Sequence, residues 1–250
     1  MGQKSIPQSI RLDYLKNWNS NWVSEKKDYS KIFFFDYTLN AYLQSYLKKN
    51  KIKVNFIKII KQDKIINVYL NLYQFSKKKS SNLNILIKKD IDNYLKYLNL
   101  PFSSKVHIVN STLRNLKIGY IFYKKFKKFK RIPSQYYSFI NLSYIAFYTQ
   151  NIELITKFLV EKLKNVKKHR WYLKNINRIL NKQFSTFDNC IGYKLQLKGR
   201  VNTSARSKKI VIKNGKTPLN TLKYKVKYDF KEVLTPRGVC SVKLWLFYIK

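Results

Sequence analysis

Acidic residues are too scarce in this chain for it to balance its own charge. Against 52 lysines and arginines stand 12 aspartates and glutamates, a formal net charge of +40 over 250 residues. A compact fold with this excess repels itself in water, so a polyanionic partner is close to a structural requirement. The chain is still no disordered basic tail. Its residues are 45% hydrophobic and 16% aromatic, enough for one or two buried cores. The same balance excludes a secreted disulfide scaffold, a collagen-like chain and an acid-rich hydrolase. Lys, Ile, Asn, Tyr and Phe, all with AT-rich codons, make up more than half of the chain, so part of the lysine excess is attributed to codon bias. The shortage of acids is not, because Asp and Glu codons tolerate AT equally.

The apolar residues fall into a definite order. Leu39, Tyr42, Leu43, Tyr46 and Leu47 predict a helix from about Thr38 to Lys48. Two strands follow, Ile52 to Ile60 and Ile65 to Leu72, the second with Ile66, Val68, Leu70 and Leu72 in alternation. A helix carrying Leu83, Ile87, Ile91, Leu95 and Leu98 ends before Pro101, and Val106 and Ile108 mark a short strand. From Leu113 to Gln150 the rhythm breaks. Lys124-Lys125-Phe126-Lys127-Lys128-Phe129-Lys130 interleaves charges for phosphates with rings for stacking, and its alternative reading is a solvated insertion. The charge-free run Ile132 to Ile152 holds too many polar residues to span a bilayer. Asn151 to about Lys182 reads as the longest helical pattern, with Ile155, Leu159, Leu163, Val166, Leu173, Ile176 and Leu180 on one stripe. An all-strand region from Ile191 closes the sequence. There Tyr193, Leu195 and Leu197 alternate with Lys194, Gln196 and Lys198, while Leu222, Tyr224, Val226 and Tyr228 alternate with Lys223, Lys225 and Lys227. One face of that sheet is expected to be apolar and the other a rank of lysines.

Catalytic groups are hard to assemble from this material. His107 and His169 have no metal-type spacing, Asp90 and Asp92 point to different helix faces, and Asp229 and Glu232 read as solvated charges beside a turn. No glycine occurs between Gly2 and Gly119, which removes a glycine-rich phosphate loop. Cys190 and Cys240 are expected to be free packing residues. No opening apolar signal segment is seen, and Ile6 breaks a myristoylation start at Met1-Gly2. The expectation is a binding protein without catalytic residues, metal or cofactor. A nuclease or other RNA-processing factor is the alternative, and a basic protein at an anionic membrane surface is a third reading, drawn from segment 114–152.

Both ends carry motifs that resemble one family. Met1-Gly2-Gln3-Lys4, Pro7, Arg11-Leu12 and Trp18-Asn19-Ser20-Asn21-Trp22 resemble the opening of small-subunit ribosomal protein three. Gly199-Arg200, Gly215, Pro218-Leu219, Thr221-Leu222, Gly238-Val239 and Val242-Lys243-Leu244-Trp245-Leu246-Phe247 resemble its C-terminal part in the same order. The resemblance implies an α+β, two-domain fold: an N-terminal KH-like domain of the bacterial type, then C-terminal helices packed on a four-stranded sheet. Its divisions would be an rRNA-contacting extension at 1–30, a degenerate KH-like domain at 31–112, a basic and aromatic insertion at 113–150 and a C-terminal ribosomal domain at 151–250. The implied partners are small-subunit rRNA in the head, mRNA at the channel through which it enters, and neighbouring head proteins, with no membrane. On the combined reading the RNA-binding residues are Lys4, Arg11, Lys16, Trp22, Lys124, Lys125, Lys127, Lys128, Lys167, Lys168, Arg170, Lys174, Arg178, Arg200, Arg206, Lys208, Lys216 and Arg237. Lys174 and Arg178 match the family's channel-lining helix, while Asn175 stands where a second arginine is usual.

Two departures are expected to matter. The Gly-x-x-Gly clamp of a KH domain corresponds to Ser76-Lys77-Lys78-Lys79-Ser80-Ser81-Asn82-Leu83, which has no glycine for close backbone approach. Two family glycines after Gly199-Arg200 are replaced by Asn202 and Thr203, which predicts a different loop path. The composition, the lost clamp and the basic insertion resemble organelle-encoded members, most of all mitochondrial ones, with a plastid-type organelle as the alternative.

Overall fold

A computed structural model describes residues 6–14, 18–50, 52–62, 65–73, 80–97, 103–110, 136–166 and 168–249. They divide into two units. One holds 18–110, and the other joins the short segment 6–14 to 136–249.

In the first unit, strands β1 (Ser20–Asn21), β2 (Lys53–Gln62), β3 (Ile65–Tyr73) and β4 (Ser103–Asn110) lie side by side in that order. β2 and β3 pair antiparallel, whereas β1 runs parallel to β2 and β4 parallel to β3. Helix α1 (Tyr29–Lys49) precedes β2, and α2 (Ser80–Tyr97) supplies the crossover that a parallel β3–β4 pair requires. The alternation in β3 buries Ile66, Val68, Leu70 and Leu72 against Leu39, Leu43 and Leu47 of α1 and Ile87 and Ile91 of α2. Tyr42 and Tyr94 stack at 4.3 Å and join the two helices. The helix predicted from Thr38 starts nine residues earlier, at Tyr29. The clamp-equivalent stretch 76–79 lies outside the described residues.

The second unit is built on β5 (Cys190–Gly199), β6 (Lys208–Gly215), β7 (Lys225–Thr235) and β8 (Gly238–Tyr248), all antiparallel in the order β6-β5-β8-β7. Three helices accompany it: α3 (Tyr137–Tyr148), α4 (Glu153–Leu163) and α5 (His169–Phe184). α4 packs on β7 and β8, α5 reaches β6, and α3 packs on both of those helices. Gly215 takes φ +72° at the end of β6, where a Cβ would lie 2.2 Å from the Ile191 carbonyl oxygen. Cys190 and Cys240 are buried free thiols, and burial pushes Cys190 up to about 12.

Four expectations about this unit are corrected. The region 113–150 does not stand apart as a whole, because its end is the core helix α3, with eight of twelve residues buried. Phe139 meets Phe158 at 5.1 Å, and Gln183 donates to the Ile140 carbonyl at 2.8 Å. The stripe from Asn151 to Lys182 is two helices, broken where Lys168 leaves helical geometry at ψ 71°. One continuous helix of some 30 residues would run about 45 Å, well beyond strands of 11 residues, so folding back buries both halves. Strand β7 also has the opposite phase. Val226 and Tyr228 pair with Phe247 and Trp245 on the face away from the helices, where they form a second small core with Leu219. Lys227 pairs with Leu246 on the helix side, where burial lowers its pKa. Lys225 donates to Gln150 at 2.8 Å. Asp229 is no solvated turn charge. It lies within β7, accepts from the Thr156 hydroxyl of α4, and is raised by burial.

Candidate nucleic-acid interface

The loop after β5 organises the cationic surface of the second unit. Asn202 takes the left-handed conformation, φ +53° and ψ +42°. Asparagine is the side chain that best replaces glycine there. Its backbone N–H donates to His169 Nδ1 at 3.1 Å, and its Oδ1 accepts from the Arg170 N–H at 3.0 Å. α5 has no side-chain cap from Lys168, so Asn202 satisfies one of its orphan donors from 32 residues away. Burial lowers the pKa of His169, against a backbone hydrogen bond with Leu163 that raises it. A neutral imidazole is also what its accepting Nδ1 requires.

These bonds bring Lys168 and Arg170, at the start of α5, beside the loop that carries Arg200 and Arg206 and leads to Lys208. The turn at the β7–β8 corner joins them, since Arg200 donates to the Arg237 carbonyl at 3.4 Å. All six basic side chains are exposed. They converge at one end of the sheet, and none is in an ion pair among the described residues. From that end the stripe continues along α5. Arg170, Lys174 and Arg178 recur at intervals of four on the face opposite buried Tyr172, Ile176 and Ile179. Trp171, 53% exposed, stands on the same side. Its signal in the sequence is a tryptophan beside Arg170 at a helix position outside the apolar stripe, a place that leaves its ring in solvent. Asn175 donates to the Tyr136 hydroxyl at 3.3 Å and so ties α5 to the start of α3.

The remaining expected residues fall elsewhere. Lys216 is exposed at the opposite end of β6, eight residues from Lys208. Trp22 is half-buried, with its ring 5.3 Å from that of Tyr29. Arg11 is a correction. It is 2% exposed, and its guanidinium donates to the carbonyls of Pro7, Leu219 and Thr221 at 2.9, 2.8 and 2.7 Å. These bonds pin the segment 6–14 to the β6–β7 connection, which leaves the group no exposed surface for phosphate. Lys4, Lys16, Lys124, Lys125, Lys127, Lys128 and Lys167 lie outside the described residues.

The described residues hold no group of three or more His, Cys, Asp or Glu that could bind a metal, and no described helix is long and apolar enough to cross a membrane. A helix-on-sheet unit with its cations gathered on one end and one helix face belongs to the class of basic proteins built against a polyanion. Comparison with known proteins finds relatives of one kind. Residues 160–246 match the family model for the ribosomal protein S3 C-terminal domain. Over 249 residues the chain is 26% identical to the small ribosomal subunit protein uS3c of Jasminum nudiflorum, covering 99% of this chain and 98% of that one. It is 25% identical to uS3 of Borreliella burgdorferi strain ZS7 over 247 residues, 99% of this chain and 70% of the relative. The relationship to uS3 of Borrelia duttonii is also 25%, covering 75% of that protein. The chain is thus similar to small-subunit ribosomal protein S3 along 99% of its length, and its residues 160–246 match that family's C-terminal domain.

Proposed function

We propose that this chain is a structural constituent of an organellar small ribosomal subunit, in which it binds rRNA in the head beside the channel through which mRNA enters. The convergence of Lys168, Arg170, Arg200, Arg206, Lys208 and Arg237 at one end of the second unit carries this reading. Six cations without acidic partners are costly to hold together in water and are stabilised by phosphates. The face of α5 that bears Arg170, Trp171, Lys174 and Arg178 offers both charge and a ring, the combination that tracks single-stranded RNA without reading its sequence. This face is assigned to the mRNA side and the sheet end to rRNA.

The first unit supports the KH-like part of the proposal through its order of elements, α1-β2-β3-α2-β4, with helices on one face of a mixed sheet. Lacking the glycines of the clamp, it acts in this reading as a scaffold. The lysines of 124–130 and the opening residues Lys4 and Lys16 are assigned to further rRNA contacts. The mitochondrion is the proposed compartment and a plastid-type organelle the alternative, on the strength of the AT-driven composition.

Sedimentation of a gentle organellar lysate tests this. The chain should travel with the small subunit and be stripped only at high salt. Migration with free protein under mild conditions would overturn the assignment.

A further inference from the structure

The face of the second sheet that turns away from the helices carries lysines and rings in adjoining rows, which the strand register sets. Lys213, Lys194, Trp245 and Tyr228 lie side by side across β6, β5, β8 and β7, and Val211, Gln196, Lys243 and Phe230 form the next row. Lys209 and Lys198 stand in the row beyond, with Ser241 and Glu232. All of them share the phase of Val226 and Phe247, so they point opposite to the buried Tyr193, Leu195 and Leu197. Across the three rows stand five lysines and one carboxylate, Glu232. In two places a cation lies on a ring. Lys194 Nζ is 4.8 Å from the centre of the Trp245 ring, and Lys243 Nζ is 5.3 Å from that of Phe230. Tyr228 packs against Trp245 at 5.2 Å, so the buried tryptophan is a floor, whereas Phe230 is 40% exposed on the edge strand.

We propose that this face is a second RNA platform, on which an unpaired segment of rRNA stacks bases on Phe230 and Tyr228 while the five lysines hold its phosphates. The inference rests on the ribosomal reading above and adds a surface to it. α5 lies on the other side of the sheet, where Asn177 accepts from the Tyr193 hydroxyl at 2.6 Å, so a strand bound along α5 does not reach here. The row of Lys198 and Lys209 does adjoin Arg200 and Lys208, and rRNA held at the sheet end passes directly onto the face. Composition selects the occupant. Phosphates need cations and base faces need accessible rings, and unpaired RNA supplies both partners at once. Paired RNA keeps its base faces in its own stack and leaves the rings unused. Four strands about 4.8 Å apart make a platform about 14 Å wide. Four-stranded sheets with exposed rings stack two or three bases. The lysines over Trp245 and Phe230 are long enough to swing from ring to phosphate, exchanging a weak contact for a charge-assisted one. A membrane surface would need an apolar face that can sink below its cations, and here the cations cover the rings.

The test places the photo-crosslinker p-benzoylphenylalanine at position 230 of the full-length chain in cells. After irradiation, small subunits are isolated, the products are digested separately with ribonuclease and protease, and joined RNA is sequenced. Position 230 should join one unpaired segment of rRNA. A synthetic oligonucleotide of that segment is then titrated by filter binding. Phe230→Leu should weaken its binding at least about fivefold with the slope against log salt unchanged, because a stacking ring releases no counterions. Phe230→Tyr should restore the affinity. Lys209→Ala combined with Lys213→Ala should make the slope shallower by about 1.4. A product with protein, lipid or mRNA would overturn the inference, as would no product or a Phe230→Leu chain that binds as tightly as the native one. Absence of the chain from small subunits would sink the ribosomal reading itself. Its presence there without rRNA joined at position 230 removes this platform alone.

Discussion

Asn202 joins two functions that are usually separate, a left-handed backbone turn and the cap of a helix that begins elsewhere in the chain. Replacing it distinguishes them. Asn202→Gly keeps the turn and loses the cap, and is expected to cost about 1 kcal/mol. Asn202→Ala loses the cap and forces a Cβ into the left-handed region, for a total of about 2–3 kcal/mol. Urea unfolding of the two variants should rank them in that order. Equal losses would mean that the turn carries no strain. His169 adds a pH dependence. Burial, opposed by the hydrogen bond with Leu163, holds its folded pKa below 6.5, so the unfolded chain binds the proton first as pH falls. This part of the stability is therefore complete above 6.5 and lost as pH drops through the lower folded value. The urea midpoint should decline over that window in the native chain and less in His169→Gln. Arg11 shows where residue-scale reading stops. Its type and its place in a basic opening both suggest phosphate, but its acceptors on Leu219 and Thr221 lie 208 and 210 residues away. Nothing local to position 11 distinguishes a guanidinium that binds RNA from one that pins the chain to itself.

Elements were legible wherever one face is buried and the other solvated. The alternation of β3, the stripe of α2 and the β5 pattern all emerged from spacing, because their periods of 2 and 3.6 are imposed by a single core. The failures share a cause, burial on two sides. β7 sits between the helices and the small core under Leu219, so both of its faces carry apolar residues and its lysines gave the wrong phase. α3 is covered by α4 and α5, and its run of aromatic and aliphatic residues has no polar face to reveal a period. α5 is the opposite case, with its two faces cleanly separated, which makes it the best element on which to part stability from binding. Ile176→Ala opens a cavity among fully buried side chains and should destabilise the second unit by about 2–4 kcal/mol. Trp171→Ala combined with Lys174→Ala removes exposed groups and should change stability by less than about 1 kcal/mol. Its effect should fall on RNA. Affinity for a single strand should weaken, with the slope against log salt shallower by about 0.7 for the lost lysine. Thermal unfolding and a filter-binding titration at several salt concentrations measure both halves.

At the scale of the whole molecule, the net charge of +40 makes salt act in two opposite directions. In the free protein, like charges at the sheet end and along α5 repel one another without acidic partners among the described residues. At 0.01 M salt the screening length is about 30 Å, so nearly the whole cationic surface of a unit interacts with itself. At 0.15 M it is about 8 Å and only near neighbours do. Raising salt should therefore stabilise the free chain and raise its unfolding midpoint. Binding responds with the reverse sign, because every phosphate contact releases counterions, and added salt opposes that release. With the six gathered cations engaged, a rise from 0.05 to 0.2 M should lower affinity for RNA by on the order of a thousandfold, while the protein itself grows harder to unfold. The two effects exchange roles when RNA is present. Saturating RNA at low salt supplies the missing negative charge and should raise the midpoint above that of the free chain, and this gain should shrink as salt dissociates the complex. Thermal unfolding at a series of salt concentrations, with and without RNA, yields two curves that converge from opposite sides. If the free chain were instead destabilised by salt in the 0.01–0.2 M range, its charge would already be balanced internally, and the need for a polyanion would no longer follow from the sequence.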